Sequence, residues 1–257
     1  MENDNKPRQA AVKSVCAGTG AGLLCGLLGA GGGALLVPLL RDWVKLDAKK
    51  AMATSVFCIA PLCAVSAAVY AANGRLIWPA AWPYALGGLA GGFLAGFLFA
   101  KAAPGWLRRG FGLLLLLGAA RQFFRWETGG VLDGFWAPVT AGALTGVLSG
   151  FGLGGGILLM IWMTAFGGLE QHAAQGVNLL YFPLCAAGSM PGHIKNKQVA
   201  WREAFCAIGA GLPAALLGAF LATRLDSAPL RAGFGVLTAL IGFREVFFRQ
   251  QKPLEQK

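Results

Sequence analysis

Two glycine clusters interrupt apolar stretches that are long enough to cross a membrane. The first cluster, GAGGG at residues 29–33, lies within the apolar stretch 14–40, and the second, GLGGG at residues 152–156, lies within 135–166. A helix needs about 20 apolar residues to cross about 30 Å of hydrocarbon. Irregular backbone at membrane depth is tolerated only where protein or a water-filled cavity covers it. Each cluster therefore predicts a helix that breaks inside the bilayer.

The remaining apolar runs predict an all-α polytopic membrane protein. Hydrophobic residues make up 56% of the 257 residues and charged residues 13%, which is too apolar for a soluble domain. The net charge of +11 comes from basic residues at the ends of apolar runs, a pattern typical of membrane orientation. The predicted partners are therefore the lipid bilayer and a small solute, and not nucleic acid. Six further runs have a length suited to crossing: 50–72, 79–100, 106–124, 172–193, 203–223 and 229–248.

The two glycine clusters belong to an internal repeat. Shifting the chain by 123 residues aligns residues 29–124 with 152–247 without a gap, and 27 of the 96 aligned pairs are identical. The identical pairs include Asn73 with Asn196 and Trp78 with Trp201, which a bias toward Leu, Ala and Gly does not explain. We predict a single membrane domain, residues 1–257, with two homologous halves at about 14–126 and 135–249. Each half contains a glycine-broken helix pair followed by three transmembrane helices.

The positions of Lys and Arg distinguish two arrangements of each glycine-broken segment. If the segment crosses the membrane, the chain has eight spans, and 13 of the 22 Lys and Arg residues lie on the side of the N-terminus. If it turns back as a re-entrant hairpin, the chain has six spans, and 17 of the 22 lie on that side. Cytoplasmic loops are enriched in Lys and Arg, so the hairpin arrangement is favoured, with inverted halves and both termini cytoplasmic. Residues 14–28 then form a helix of about 22 Å that reaches only part of the way across.

The hairpin arrangement predicts an anion site near the membrane midplane. The helices that restart after the clusters point their N-terminal ends at the membrane centre from opposite faces. Free N–H groups and the helix macrodipole both favour negative charge at such ends, as in transporters with discontinuous helices. The candidate substrate-binding glycines are Gly31, Gly32, Gly33, Gly154, Gly155 and Gly156.

Close helix packing is the alternative role for glycine in a membrane protein. It is the role that we expect for three sets of glycines at four-residue spacing: Gly18, Gly22 and Gly26; Gly88, Gly92 and Gly96; and Gly142, Gly146 and Gly150.

Polar residues inside the predicted spans supply further candidates. Thr54, Ser55, Gln175 and Asn178 are candidate hydrogen-bond donors to a substrate, and hydrogen bonding between helices is their alternative role. His193 either titrates near neutral pH and couples protons, or lies at the membrane interface beside Lys195.

The spans contain few groups suited to other functions. No carboxylate occupies the middle of a predicted span, which disfavours a carrier of cations or protons. The spans contain no paired carboxylates and no nucleophile beside a base, so we predict no enzyme and no catalytic residues. The six cysteines form no C-x-x-C pair, and neither a metal site nor a cofactor is expected.

Three motifs recur in the same order in the two halves. The first half has GLLGAGGGALLVPLL, KKAMATS and NGRLIW, and the second has GFGLGGGILLMIW, HAAQGVN and NKQVAW. This pattern, from about residue 14 to 248, resembles the TauE/SafE sulfite exporter family of membrane permeases. The second half departs from it where Ile161 aligns with Pro38, and where Val177 and Asn178 align with Thr54 and Ser55.

The resemblance implies a secondary transporter of the bacterial inner membrane that exports sulfite, an organosulfonate or a related sulfur anion. An anion channel, or a permease for another small anion, stays open as an alternative. The sequence does not identify the exact substrate, the direction of transport, the coupling ion or the oligomeric state, a homo-oligomer included.

Overall fold

The structure, a computed structural model, describes residues 5–98, 105–124 and 134–247, and describes side chains at 9–98, 110–120 and 134–247. The regular structure of these residues is entirely helical, as predicted. Both chain termini and the outer ends of the two predicted halves, 125–126 and 248–249, lie outside the described residues. The described helices are α1 (Asn5–Leu28), α2 (Gly33–Asp42), α3 (Ala48–Ala72), α4 (Trp78–Leu98), α5 (Gly105–Phe124), α6 (Trp136–Gly150), α7 (Gly155–Ala165), α8 (Gln171–Lys195), α9 (Trp201–Arg224) and α10 (Ser227–Phe247).

Four helices are long and apolar enough to cross a membrane by length and composition: Gln9–Leu28, Ala48–Ala72, Trp78–Leu98 and Trp201–Arg224. These helices agree with a multi-pass membrane protein. Helix α8 has 25 residues but is not among the four, because it carries a series of polar residues. The protein interior buries these polar side chains: Gln171, His172, Gln175, Asn178, Ser189 and His193.

The predicted start of the first helix is wrong. Helix α1 begins at Asn5 rather than near residue 14, and its 24 residues give it a length of about 36 Å. The expectation of a 22 Å helix that reaches only part of the way across is therefore also wrong, because Gln9–Leu28 is long enough to cross. Residues 9–13, in its second and third turns, include neither Gly nor Pro, so nothing in them ends the helix. The change from apolar to polar sequence near residue 14 indicates where the surroundings of the helix change, and not where the helix begins.

Helices of the two predicted halves pack closely against each other. Helix α1 of the first half lies along α9 of the second, where a methyl group added to Gly18, Gly22 or Gly26 would lie 2.1 to 2.3 Å from a backbone oxygen. The residue numbers of the contacts increase together along the two helices, so α1 and α9 are parallel. Helix α4 packs in the same way against α6 and α8. The packing role predicted for the spaced glycines is confirmed.

The chain reverses direction after α1 and after α6. A methyl group on Gly32 would lie 2.8 Å from the carbonyl oxygen of Ala21 and 3.4 Å from Cβ of Cys25, both in α1. A methyl group on Gly155 would lie 2.2 Å from the carbonyl oxygen of Thr145 in α6. Helices α2 and α7 therefore begin beside the helices that they follow. We name residues 29–32 the first break and residues 151–154 the second break.

Two contacts bring helix ends together at one end of the bundle, which we name the Asp42 end. Asp42 at the end of α2 forms an ion pair of 3.0 Å with Arg244 near the end of α10. Thr54 Oγ1 in α3 accepts a hydrogen bond of 2.9 Å from the N–H group of Ala200, which precedes α9.

Two other contacts define the opposite end, which we name the Glu170 end. Ser227 Oγ at the start of α10 donates a hydrogen bond of 2.5 Å to Glu170, which precedes α8. The backbone of Arg75, between α3 and α4, packs against Gly176 of α8, where a methyl group would lie 2.8 Å from the Arg75 carbonyl oxygen.

Candidate functional site

The first break presents backbone N–H groups inside the protein. Gly32 is the N-cap of α2 and has a left-handed backbone conformation with φ of +59°, which favours glycine. Gly31, Gly32 and Gly33 are buried. Among the described residues, no hydrogen bond uses the N–H groups of Ala30, Gly31, Gly32 or Ala34. Because buried N–H groups without a partner cost free energy, the start of α2 is a set of donors suited to an anion or to water.

The second break presents the same kind of N–H groups and touches the first. Gly154 is the N-cap of α7, with φ of +89°. The N–H groups of Gly154, Gly155 and Gly156 are likewise unused by any hydrogen bond in the described part of the chain. A methyl group on Gly154 would lie 2.8 Å from Cβ of Ala34. The N-terminal ends of α2 and α7 therefore meet.

Asn178 and Ser55 place polar atoms at these helix ends. Asn178 Nδ2 donates a hydrogen bond of 2.6 Å to the carbonyl oxygen of Gly29, and its Oδ1 would lie 3.0 Å from a methyl group on Gly156. Ser55 Oγ would lie 3.5 Å from a methyl group on Gly33. Both side chains are fully buried, and neither Asn178 Oδ1 nor Ser55 Oγ has a hydrogen-bond partner among the described residues. Each restarting helix is thus faced by a polar side chain of the next helix.

Gln175 contacts the first break from the side of α8. A methyl group on Gly29 would lie 2.6 Å from Gln175 Cβ. Gln175 Oε1 accepts a hydrogen bond of 3.0 Å from the hydroxyl of Tyr70, which also lies 3.3 Å from the carbonyl oxygen of Gly26. Gln175 Nε2 has no partner within the described residues. The structure therefore brings Ser55, Gln175 and Asn178 to the breaks.

The other two polar candidates have different surroundings. Thr54 is buried, and its Oγ1 accepts the hydrogen bond from the Ala200 N–H group, which corresponds to the alternative role in joining helices. His193 is completely buried by the protein, in the last turn of α8, and its depth in the membrane stays a prediction. Its Nε2 lies 2.8 Å from the carbonyl oxygen of Gly150. Because α6 ends there, that carbonyl lacks a partner in the helix, and the imidazole N–H group supplies one.

A small cavity lies beside the first break, between the start of α2 and residues of α1, α7 and α10. Its volume is about 10 Å³, which is close to the space needed for one water molecule. None of Thr54, Ser55, Gln175 and Asn178 lines it. The walls are glycine and apolar side chains: Leu24, Ala30, Gly32, Ala34, Leu35, Ile157, Leu237 and Ile241. In this conformation the cavity does not hold an oxyanion of four heavy atoms.

The sequence analysis missed two residues at the site. Tyr70 bonds Gln175 beside the first break, and the available signal was a tyrosine hydroxyl in an apolar run, since such a hydroxyl requires a partner. Gln171 is 2% exposed, and neither of its amide atoms has a partner in the described part of the structure. The available signal was its spacing of four and seven residues from Gln175 and Asn178, which places all three on one face of α8.

No group of three or more His, Cys, Asp and Glu side chains among the described residues is arranged to hold a metal ion. 

A comparison with protein families gives one match. The model of the family described as Sulfite exporter TauE/SafE matches residues 14–245, a range that includes both breaks. No curated protein and no solved structure matches the chain.

Proposed function

The chain belongs to the sulfite exporter TauE/SafE family, and from that premise we propose that it is a secondary transporter. Its cargo is a small sulfur-containing anion, such as sulfite or an organosulfonate, and it works as an exporter in the bacterial inner membrane. The anion binds between the two breaks, at the N-terminal ends of α2 and α7.

The observation that carries this proposal is the contact between two helix N-terminal ends whose amide groups are buried and unused. The end of a helix dipole and its free N–H groups attract negative charge. Ser55, Gln175 and Asn178 add neutral polar atoms to the same place. In addition, no Asp or Glu is buried among the described side chains, and this supports an anion rather than a cation as the cargo.

The conformation described here is the closed form of this site. The ends of α2 and α7 touch at Gly154 and Ala34, and the cavity of about 10 Å³ beside the first break admits only a water-sized molecule. Binding of an oxyanion therefore requires the two breaks to separate. Such a movement breaks the hydrogen bond from Asn178 to the Gly29 carbonyl, and frees the amide of Asn178 to contact the anion. Alternation between closed and open forms is what a secondary transporter needs.

The proposed arrangement in the membrane is six spans and two re-entrant hairpins, with both termini cytoplasmic. An eight-span arrangement would place Asp42 and Arg244 on opposite faces of about 30 Å of hydrocarbon, but they form an ion pair of 3.0 Å. It would likewise separate Thr54 from Ala200, and Arg75 from Gly176. The hairpin arrangement places the Asp42 end in the cytoplasm and the Glu170 end outside.

Purified protein in liposomes is expected to exchange sulfur anions. Liposomes preloaded with unlabelled sulfite should take up labelled sulfite faster than empty liposomes, because a carrier returns loaded more readily than empty. Labelled sulfate, sulfoacetate and taurine identify the preferred cargo in the same assay. A channel gives no such stimulation by internal substrate, so equal uptake by preloaded and empty liposomes would contradict the carrier. Liposomes without protein are the control.

A reporter that is active only outside the cytoplasm tests the hairpins. Fused after Lys45, between α2 and α3, it should be silent, and fused after Arg75, between α3 and α4, it should be active. Eight spans predict the reverse at both positions. Each fusion is thus the matched control of the other, and activity after Lys45 would refute the re-entrant first hairpin.

A further inference from the structure

One face of α8 carries three buried amide side chains whose polar atoms lack partners. Among the described residues, the atoms without a hydrogen bond include both amide atoms of Gln171, Nε2 of Gln175 and Oδ1 of Asn178. All three side chains are at most 2% exposed. Their spacing places them in a line along the helix, and we name them the amide row. Because a buried amide without a partner costs free energy, the amide row predicts a polar guest, either water or a solute.

The amide row covers the distance from the breaks to the Glu170 end of the bundle. Asn178 bonds the carbonyl oxygen of Gly29 at the first break, whereas Gln171 is the first residue of α8. The two side chains are seven residues apart, or about 10 Å along the helix axis. Glu170, which precedes α8, has a side chain that is 64% exposed. The outer end of the amide row is therefore next to the surface.

The corresponding face of α3 in the first half begins with apolar side chains. Under the repeat alignment, Met52 takes the position of Gln175, and Ala48 stands in the position of Gln171. Met52 borders the second break as Gln175 borders the first, since a methyl group on Gly152 would lie 2.8 Å from the Met52 carbonyl oxygen. The packing of a helix against a break therefore does not require amides at these positions.

Arg75 supplies a positive charge beside the outer end of the amide row. Its backbone packs against Gly176 of α8, and its half-buried side chain forms no ion pair with a carboxylate among the described residues. The hydrogen bond from Ser227 lowers the pKa of Glu170, partial burial opposes this change, and the charge of Arg75 adds to it. The exposed Glu170 carboxylate counters this charge only in part, because water screens it. The surroundings therefore suit an anion.

We infer that the amide row lines the outer half of the anion route, and that Gln171 binds the anion about one helical turn outward from Gln175. This inference rests on the proposed transport function. Nε2 of Gln171 donates to an oxygen of the anion, and Oε1 accepts from its hydration water. A neutral amide holds an oxyanion less tightly than a bidentate guanidinium does, as a position on a route requires. The face of α3 offers no such step toward the Asp42 end, so the two halves of the route differ.

Gln171→Met tests the amide because the new side chain is apolar and of similar length. An amide without a partner in the fold does not stabilise it, so the variant should unfold in detergent about 2 to 4 °C above the wild type. Exchange of labelled for unlabelled sulfite in liposomes should fall by about tenfold, the effect of losing one hydrogen bond to an anion.

Thr54→Val is the matched control for stability. The hydroxyl of Thr54 does have a partner, the N–H group of Ala200, so this variant should unfold at a lower temperature than the wild type. A lower unfolding temperature in Gln171→Met would show that its amide serves the fold. Unchanged sulfite exchange would show that the amide binds water only. Either result would overturn the inference.

Labelling from outside tests the route without any assumption about the cargo. Cells that express Gln171→Cys or Ala48→Cys are treated with a membrane-impermeant thiol reagent that carries a sulfonate group. Mass spectrometry identifies the modified residue, so the six native cysteines stay in place. Position 171 should react in intact cells whenever the site opens. Position 48, which is exposed at the Asp42 end, should react only after the cells are permeabilised.

The outcomes separate this inference from the proposed function. Sulfite exchange with no modification at position 171 would overturn the outer route and leave the transport function in place. Reaction at position 48 alone in intact cells would likewise overturn it, because the amide row would then face the cytoplasm. If the wild-type protein moves no sulfur anion but position 171 reacts as expected, the proposed cargo is wrong and the route stands.

Discussion

Gly33→Ala is expected to lower sulfite transport by about tenfold to a hundredfold while the protein stays folded. The backbone of Gly33 is not left-handed, so alanine fits there without strain. The added methyl group would lie 3.5 Å from Ser55 Oγ, an ordinary contact distance. Alanine also favours a helix more than glycine does. The methyl group would, however, cover the N-terminal end of α2. Loss of one hydrogen bond to a charged group costs about 1.5 to 3 kcal/mol, which corresponds to this range of rates.

The matched control adds the same methyl group where nothing is near. Gly20 is a half-buried residue of α1, and a methyl group there would meet no atom within 4 Å. Gly20→Ala should transport at the wild-type rate, and both variants should keep the wild-type unfolding temperature in detergent. A normal rate in Gly33→Ala would remove the start of α2 from the pathway. Gly32→Ala is a poorer test, because its backbone is left-handed and its methyl group would lie 2.8 Å from the Ala21 carbonyl oxygen.

Gly92→Ala is expected to lower the free energy of unfolding by about 3 kcal/mol. Its methyl group would lie 2.1 Å from the carbonyl oxygen of Cys185. That atom belongs to the backbone of α8, so the contact is relieved only if α4 and α8 move apart. Gly209→Ala on α9 is the control, since it meets no atom within 4 Å and should retain or raise the stability. Equal unfolding temperatures for the two variants in detergent would show that α4 does not pack closely on α8.

The helices could be predicted from the sequence because a membrane requires long apolar runs. The boundaries of α3, α4 and α9 lie within two residues of the predicted runs. The start of α1 could not be predicted in this way, because an apolar run indicates which part of a helix lies in an apolar environment and not where the helix begins. Residues 9–13 are outside the apolar run, yet they continue the helix.

The positions of the two helix breaks could be predicted better than the contacts around them. The glycine clusters locate both helix breaks, since few other residues permit such turns. The interior orientation of polar side chains could not be derived from one sequence: Thr54 and Ser55 are neighbours, but Thr54 bonds the chain before α9 and Ser55 faces α2. The burial of His193 depends on the early end of α6, which no local signal near residue 193 reveals.

The internal repeat remains a prediction, and the contacts at the breaks agree with it. Under the alignment, Ser55 at Gly33 corresponds to Asn178 at Gly156, although the polar groups differ. A repeat therefore indicates which positions correspond and leaves the chemistry of each half open.

The parallel pairing of α1 with α9 has a consequence for biosynthesis. Chains are made from the N-terminus, so α1 enters the bilayer before the ribosome has produced its partner. Until then the glycines of α1 face lipid or a chaperone, and the first break cannot take its final conformation. The protein is therefore completed late, when α9 has been made. A ribosome that stalls before that point leaves a product in which the glycine face of α1 has no helix packed against it.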